Sequence, residues 1–274
     1  MASLIESTWS KATILIETPS GGRGTGFLVG RPFGQGQWRI LLVTNKHVLD
    51  IDSVKRRALK SVRLHINVQR EGNIIGEVVE YPLTDTTGPW WREHPSPDID
   101  VLAITAVPLF NSRSDIANRC VPEEMFGLAA KRRELDITAG EDIVVVGYPS
   151  GIRQGKTNSP LIRQGIIASR IGEELHEEVP QPGGGTTLRV SRAFLIDGAT
   201  IPGSSGSPVV LKPVTGRHHG NNIVMGTAPP VLLGIVAETR FAPISTGKAT
   251  IPGFAGLGFA FDVETIVEVM DLFT

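Results

Sequence analysis

The run Ile201-Pro202-Gly203-Ser204-Ser205-Gly206-Ser207-Pro208 crowds small residues between two apolar segments, Ala193 to Ile196 and Val209 to Leu211. Gly203 and Gly206 allow backbone angles that a Cβ would block, so backbone N–H groups can converge on one point there. Ser205, between the two glycines, would then hold its hydroxyl beside those amides. Acyl transfer uses that arrangement: a nucleophile next to donors for an oxyanion. The same composition also describes an ordinary Gly/Ser/Pro turn, and the stretch alone leaves both readings open.

A serine hydroxyl is a weak nucleophile at neutral pH. It needs an imidazole to take its proton and a carboxylate to hold that imidazole in the right tautomer. His47 follows the apolar strand Ile40 to Val43, where a strand meets a loop. The other histidines lack that setting: His65 lies within a strand, and His94, His176, His218 and His219 lie in loops. Two carboxylates compete in Asp98-Ile99-Asp100-Val101-Leu102, and residues two apart on a strand share a face, so periodicity does not separate them. Asp100 is favoured. With the earlier acid, the turn His94-Pro95-Ser96-Pro97 would crowd the site, and a second aspartate inside the strand would be buried without a partner. Asp98 would then cap or tether the loop. His218-His219 has no acid or cysteine at ligand spacing, so neither a metal nor another cofactor is expected. Cys120, in Asn118-Arg119-Cys120-Val121-Pro122, has no histidine nearby and reads as inert.

The elements that must position these groups are short strands. Of the 274 residues, 41% are hydrophobic and 20% charged, enough for a packed core and against disorder. Gly 31 and Pro 19 suit many strands joined by turns better than long helices. Strands are predicted at Lys11 to Glu17, Thr25 to Gly30, Trp38 to Thr44, Ser61 to Gln69, Ile74 to Tyr81 and Asp98 to Ile104, roughly six, which is enough to close a small barrel. Asn111 to Thr138 is a charged connector with one helical turn. A second set follows at Glu141 to Tyr148, Leu161 to Ile171, Thr187 to Ile196, Ser207 to Leu211, Val231 to Thr239 and Gly256 to Phe261. Glu173 to Gly185 is an acidic, Gly/Pro-rich loop, and Thr215 to Thr227 is another loop. Asp262 caps a final helix whose Val263, Ile266, Val267, Met270 and Phe273 share a face that seals the second barrel. The expected fold is all-β: two six-stranded antiparallel β-barrels with a C-terminal α-helix. Its parts are an N-terminal barrel over 1–110, a connector over 111–138, a C-terminal barrel over 139–261 and the helix over 262–274, together one unit.

A net charge of −1 points to neither a nucleic-acid partner nor an anionic membrane. With a single cysteine no intramolecular disulfide can form, which suits a reducing compartment. Met1 to Trp9 has no basic or apolar leader region, and no run reaches transmembrane length, so the expected location is cytoplasmic.

Taken in order, His47, Asp98 or Asp100, and Ser205 resemble the trypsin-like serine proteases, most closely the bacterial branch with the HtrA-type enzymes. Gly24-Thr25-Gly26-Phe27-Leu28-Val29 looks like the strand before the histidine, and Thr44-Asn45-Lys46-His47-Val48-Leu49 like the histidine motif. Gly147-Tyr148-Pro149-Ser150-Gly151 is similar to the family's Gly-x-Pro-x-Gly turn. Pro202 to Pro208 matches its nucleophile turn, with Ser207 where glycine is more usual. Gly234-Ile235-Val236-Ala237-Glu238-Thr239 looks like the cleft strand, and Gly256 to Phe261 like the last barrel strand. The co-occurrence of these motifs in order carries the resemblance across nearly the whole chain.

The resemblance implies a serine endopeptidase acting on protein or peptide substrates, with His47 as base, Asp100 as its orienting acid, Ser205 as nucleophile and the Gly203 and Ser205 amides as oxyanion hole. Substrate would bind Ala199 and Thr200 and pair in extended form with Ala237, Glu238 and Thr239. Two departures matter. Digestive members carry, before the nucleophile, an acid that pairs with a newly cut N-terminus; here that residue is Ser204, so activation by N-terminal cleavage is not expected. Gly198 to Ile201 also lacks the acid that trypsin-like specificity places at the pocket floor, which predicts a small or medium apolar P1 residue, although Glu238 could instead accept a basic one. No appended peptide-binding domain is expected, and a bacterial cytosolic enzyme governed by a regulatory partner fits the pattern. The rival readings are a catalytically silent module that binds peptides in the same cleft, and an esterase using the same triad.

Overall fold

In the computed structural model, the described residues are 5–34, 36–50, 59–180, 184–198, 200–219, 222–225, 230–245 and 250–273. The first half is a mostly antiparallel sheet. Its strands are β1 (Thr13–Glu17), β2 (Arg23–Pro32), β3 (Trp38–Thr44), β4 (Ser61–Arg70) and β5 (Asn73–Pro82), then a two-residue ribbon of β6 (Thr84–Asp85) and β7 (Gly88–Pro89), then β8 (Trp91–Glu93) and β9 (Leu102–Thr105). The hydrogen-bonded order is β5-β4-β1-β2-β3-β9-β8, with β10 (Val121–Pro122) added parallel to β2. β2 and β3 are covered on both faces: Phe27, Val29, Leu41 and Val43 enter one core cluster, and Leu28 and Leu42 enter another. Between the halves lie α1 (Val107–Ser112), which begins ahead of the expected connector, and α2 (Ala129–Glu134), which lies within it.

The second half contains β11 (Asp142–Gly147), β12 (Leu161–Ile167), β13 (Leu175–Pro180), β14 (Thr186–Ser191), β15 (Ala193–Asp197) and β16 (Pro208–Leu211). It continues with β17 (Gly216–His219), β18 (Asn222–Met225), β19 (Leu232–Ser245), β20 (Thr250–Asp262) and α3 (Val263–Met270). Six of these close into a barrel in the order β11-β12-β15-β20-β19-β16.

Three expectations are corrected. The N-terminal strand set is not a closed six-stranded barrel: among the described residues no pairing joins β5 to β8, and the sheet stays open along that path. The acidic stretch from Glu173 is not a loop, because Leu175 to Pro180 forms β13 and pairs with β14. That leaves the expected strand Thr187 to Ile196 split at Arg192. The His218-His219 segment likewise forms a hairpin, β17 with β18. A two-stranded ribbon needs only backbone pairing, and neither Leu175–Pro180 nor Gly216–His219 carries the apolar run that marks a barrel strand.

The helix starts as predicted: the Asp262 carboxylate accepts the Thr265 N–H at 3.2 Å. It does not seal the second barrel alone. Val263, Ile266, Val269 and Met270 enter a core cluster that also holds Phe27, Val43 and Val101 of the first half and Val146, Ile235 and Phe261 of the barrel. Each such buried side chain contributes about 1.5–3 kcal/mol. A shared core holds the halves as one body, and the site described next lies on their seam.

Candidate active site

His47 opens a single 3-10 turn, His47–Leu49, directly after β3. The two residues before it reach across to the segment that carries the acid. Asn45 Nδ2 donates to the Asp100 carbonyl at 2.6 Å, and Lys46 Nζ donates to the carbonyls of His94 and Ser96, each at 3.1 Å. That segment is itself closed: the His94 N–H donates to the Val101 carbonyl at 2.9 Å and the Ile99 N–H to that of Ser96 at 3.3 Å. The His94 ring Nδ1 accepts the Ser96 N–H at 3.0 Å, while Nε2 pairs with Glu268 of α3 at 2.6 Å.

The structure brings His47 and Asp100 together. Asp100 Oδ2 meets His47 Nδ1, and Oδ1 accepts the His47 backbone N–H at 3.2 Å. A carboxylate against Nδ1 keeps the proton there and leaves the Nε2 lone pair facing outward. Burial lowers the His47 pKa, but the Asp100 hydrogen bond and charge, with the charge of Glu238, outweigh it, and the net shift is upward. Asp98 is exposed, and the turn is closed by backbone bonds and the His94 ring rather than by its side chain.

The serine turn is gripped from three directions. Thr25, buried in β2, holds it from the first half: its N–H donates to the Ser205 carbonyl at 2.8 Å, and its Oγ1 donates to the Gly203 carbonyl at 3.0 Å. The same Oγ1 accepts the Tyr148 N–H at 3.0 Å. From the cleft strand β19, Val236 accepts the Gly206 N–H at 2.8 Å and donates to the Ser207 carbonyl at 2.9 Å. From the turn after β11, the Ser150 N–H donates to the Pro202 carbonyl at 2.7 Å. Gly206, at φ +84°, lies so close to β2 that a Cβ there would stand 1.7 Å from the Thr25 carbonyl oxygen.

These grips aim two amides. A trans peptide is planar, with C=O and N–H on opposite sides. The Pro202 carbonyl is held by Ser150, which directs the Gly203 N–H the other way; the Ser204 carbonyl is held by the Ser207 N–H at 3.0 Å, which directs the Ser205 N–H likewise. Among the described residues, neither the Gly203 nor the Ser205 N–H donates to a protein acceptor. Ser205 Oγ donates to the Ala237 carbonyl at 3.0 Å, so the hydroxyl rests on the cleft strand and not on the His47 ring.

The remaining predicted positions sit around this point. Thr200 is fully buried and packs against Gly258 of β20, where a Cβ would come within 2.6 Å of its methyl. Ala199 lies outside the described residues. Glu238 is 3.8 Å from Arg189 of β14. Thr239 continues β19 opposite Gly258. Sequence reasoning assigned no role to Thr25, Asn45, Lys46, His94 or Arg163. Their partners are distant in the chain, as with the 178 positions between Thr25 and Gly203, and no local pattern carries that information.

An imidazole oriented by a carboxylate, and a serine whose own amide and that of Gly203 have no protein acceptor among the described residues, are the groups that acyl transfer uses. The chain belongs to the trypsin-like peptidases: the family model described as a trypsin-like peptidase domain matches residues 24–217. Among solved structures it is similar to the active form of the Rv3671c protease of M. tuberculosis, at 16% identity and TM-score 0.47, over 98% of this chain and 82% of that one. It is also similar to the inactive form of that protease, at 16% identity and TM-score 0.48, over 98% of this chain and 91% of that one. No curated protein matches the sequence.

Proposed function

We propose that the protein is a serine endopeptidase that cleaves peptide bonds through His47, Asp100 and Ser205, with substrate bound in extended form along β19. One observation carries the reading: the Asp100 carboxylate holds the His47 ring by Nδ1, and among the described residues neither the Ser205 amide nor that of Gly203 has a protein acceptor. His47 Nε2 takes the Ser205 proton, and Ser205 Oγ attacks the carbonyl carbon. The two amides receive the oxyanion, each contributing on the order of a hundredfold in rate. His47 then protonates the leaving amine, and water releases the acyl group by the same steps. The carbonyl of Ala237 has two roles in this scheme. An incoming substrate N–H competes for the acceptor that Ser205 Oγ now occupies, and its arrival frees the hydroxyl to turn to His47. The substrate contacts are Ala199 and the Ala237–Thr239 strand, with a small or medium apolar P1 residue, and Thr200, fully buried, acts from behind them by packing on β20. On this reading 1–110, an open sheet, and 139–261, which holds the closed barrel, are the two halves of one protease, joined by 111–138 and closed by 262–274. The single cysteine suits work in the cytoplasm, and the charge balance suits neither nucleic-acid nor membrane partners.

The bond from Ser205 Oγ to Ala237 favours a second reading, a silent module that binds peptides in the same cleft. A fluorophosphonate probe separates the two. The peptidase labels at Ser205 and the Ser205→Ala variant does not; a folded parent that fails to label, yet binds peptides, belongs to the second reading. Profiling of cleaved peptides then tests P1, and Lys or Arg there would overturn the apolar pocket.

A further inference from the structure

We propose that Arg163 is a positioning residue that holds the oxyanion hole through Ser204. The inference rests on reading the Gly203 and Ser205 amides as that hole. Ser204 sits between them and is 1% exposed. Its backbone is tied on both sides: its N–H donates to the Ile201 carbonyl at 2.9 Å and its carbonyl accepts the Ser207 N–H at 3.0 Å. Its hydroxyl oxygen accepts the Ile201 N–H at 3.3 Å, a long bond, and Arg163 Nη2 at 2.7 Å, a short one. Both lone pairs of that oxygen are therefore used.

Arg163 comes from β12, opposite Val145 of β11, in the wall of the closed barrel. Thr25, Val236 and Ser150 grip the turn by its backbone at Gly203, Ser205, Gly206, Ser207 and Pro202; Arg163 grips the side chain in the middle. A charged donor to a hydroxyl is among the stronger hydrogen bonds. Burial pushes the Arg163 pKa below its ordinary value, so the barrel keeps a desolvated guanidinium at this place. Without it, the Ser204 oxygen keeps one weak donor in a buried setting, and rotation about Ser204 swings the Ser205 amide away from that of Gly203. The barrel strand thus supplies, from within the folded chain, an anchor beneath the nucleophile.

The test compares the parent with Arg163→Met, Arg163→Lys, Ser204→Ala and the Arg163→Met/Ser204→Ala double variant. The first readout is the second-order rate of fluorophosphonate labelling, whose adduct places an oxygen in the hole. Arg163→Met is expected to slow labelling by about 10- to 100-fold, a part of what one lost donor costs. The midpoint of its pH profile should stay put, because His47 is untouched. Arg163→Lys, which keeps a donor, recovers most of the rate. The double variant is no slower than the slower single one, since both remove one contact. The second readout is the position of the Gly203 and Ser205 amide resonances, which should move in Arg163→Met and return in Arg163→Lys. If the amides stay in place, or if the folded Arg163→Met labels within twofold of the parent, the positioning role is wrong. If the parent itself does not label but its amides move on substitution, the peptidase reading fails and the positioning role stands. Should Arg163→Met not fold, Arg163→Lys and Ser204→Ala carry both readouts.

Discussion

Replacing Asp100 by asparagine tests the centre of the site with the smallest change in shape. Asp100 uses one oxygen on the His47 backbone N–H, at 3.2 Å, and the other on the ring Nδ1. An asparagine that keeps the backbone bond turns its NH₂ toward Nδ1. The ring must then accept there and carry its proton on Nε2, where the lone pair is needed. The expected loss is about 10⁴-fold in kcat, or roughly 5 kcal/mol of transition-state stabilisation. The pH dependence should move too. In the parent, His47 titrates above its ordinary value because of Asp100 and, to a lesser degree, Glu238. As the base must be neutral, the acid limb of kcat/KM lies above pH 6.5, the ordinary value. In Asp100→Asn the lowering effect of burial is opposed by Glu238 alone, so the limb of the residual activity shifts down. Stability follows the sign of a raised histidine pKa: the contribution is complete below the unfolded value and is lost as pH rises through the folded one. The ring is half-exposed, so its loss costs no more than about 1 kcal/mol, seen at pH 5.5 and not at pH 9. The assay is peptide hydrolysis from pH 5 to 9 with urea unfolding alongside, and Asp98→Asn is the control, expected within twofold of the parent. An Asp100→Asn enzyme within tenfold of the parent, or an inactive folded Asp98→Asn, would refute the assignment.

Two further substitutions test the frame around the site. Gly206→Ala puts a Cβ 1.7 Å from the Thr25 carbonyl, at a φ of +84°; it should cost roughly 3–5 kcal/mol in urea unfolding and abolish labelling. Gly140→Ala, at φ +93° with nothing within 4 Å, should cost only about 1–2 kcal/mol, and equal losses at the two positions would remove the steric argument. Asp262→Asn keeps the cap on α3 while removing a carboxylate whose pKa is pushed up to about 6, by burial first and Glu264 second. A raised carboxylate pKa means that the folded state binds the extra proton, so stability falls as pH rises toward 6 and the cost is complete above it. Asp262→Asn should therefore gain about 1–2 kcal/mol at pH 8, with the gain shrinking as pH falls and gone below about pH 4; a gain that grows on acidification contradicts this.

Strands with apolar, β-branched runs were legible because burial on a pleated sheet imposes that pattern, and β3 was read with its observed bounds, Trp38 to Thr44. The cap at Asp262 was legible for a similar reason, since an N-cap is a local interaction. The aspartates were not separable by periodicity, and the structure shows why: β9 begins at Leu102, so Asp98 and Asp100 precede the strand. What distinguishes them is the reach of Asn45 and Lys46 from the histidine side. Whether the first sheet closes depends on pairing between its outermost strands, which no residue pattern within a strand encodes. Ser207 was legible as a departure from glycine, and its accommodation was not. A Cβ on Gly147 would stand 2.0 Å from the Ser207 hydroxyl, so glycine at the facing position makes the room.

The placement of the serine turn against the first half follows from one buried residue more than from the loops around it. His47 and Asp100 lie on segments that flank β3 and β9 of the first sheet, Ser205 lies in the turn before β16, and Ala237 lies in β19 of the barrel. Among the described residues, Thr25 is the residue of the first sheet that bonds the serine turn, at the Ser205 carbonyl through its N–H and at the Gly203 carbonyl through its hydroxyl. Its own carbonyl accepts the Thr44 hydroxyl at 2.7 Å, at the end of the strand that leads to His47. Three hydrogen bonds thus run from the histidine strand through β2 into the turn. Each is worth about 1 kcal/mol net, and more is lost when one partner alone is removed from a buried pair. Rotation of either half about the seam would break them together. The serine turn is therefore tied to the end of the histidine strand in the free protein, and on the proposed mechanism the serine hydroxyl, now on Ala237, is the group that must turn.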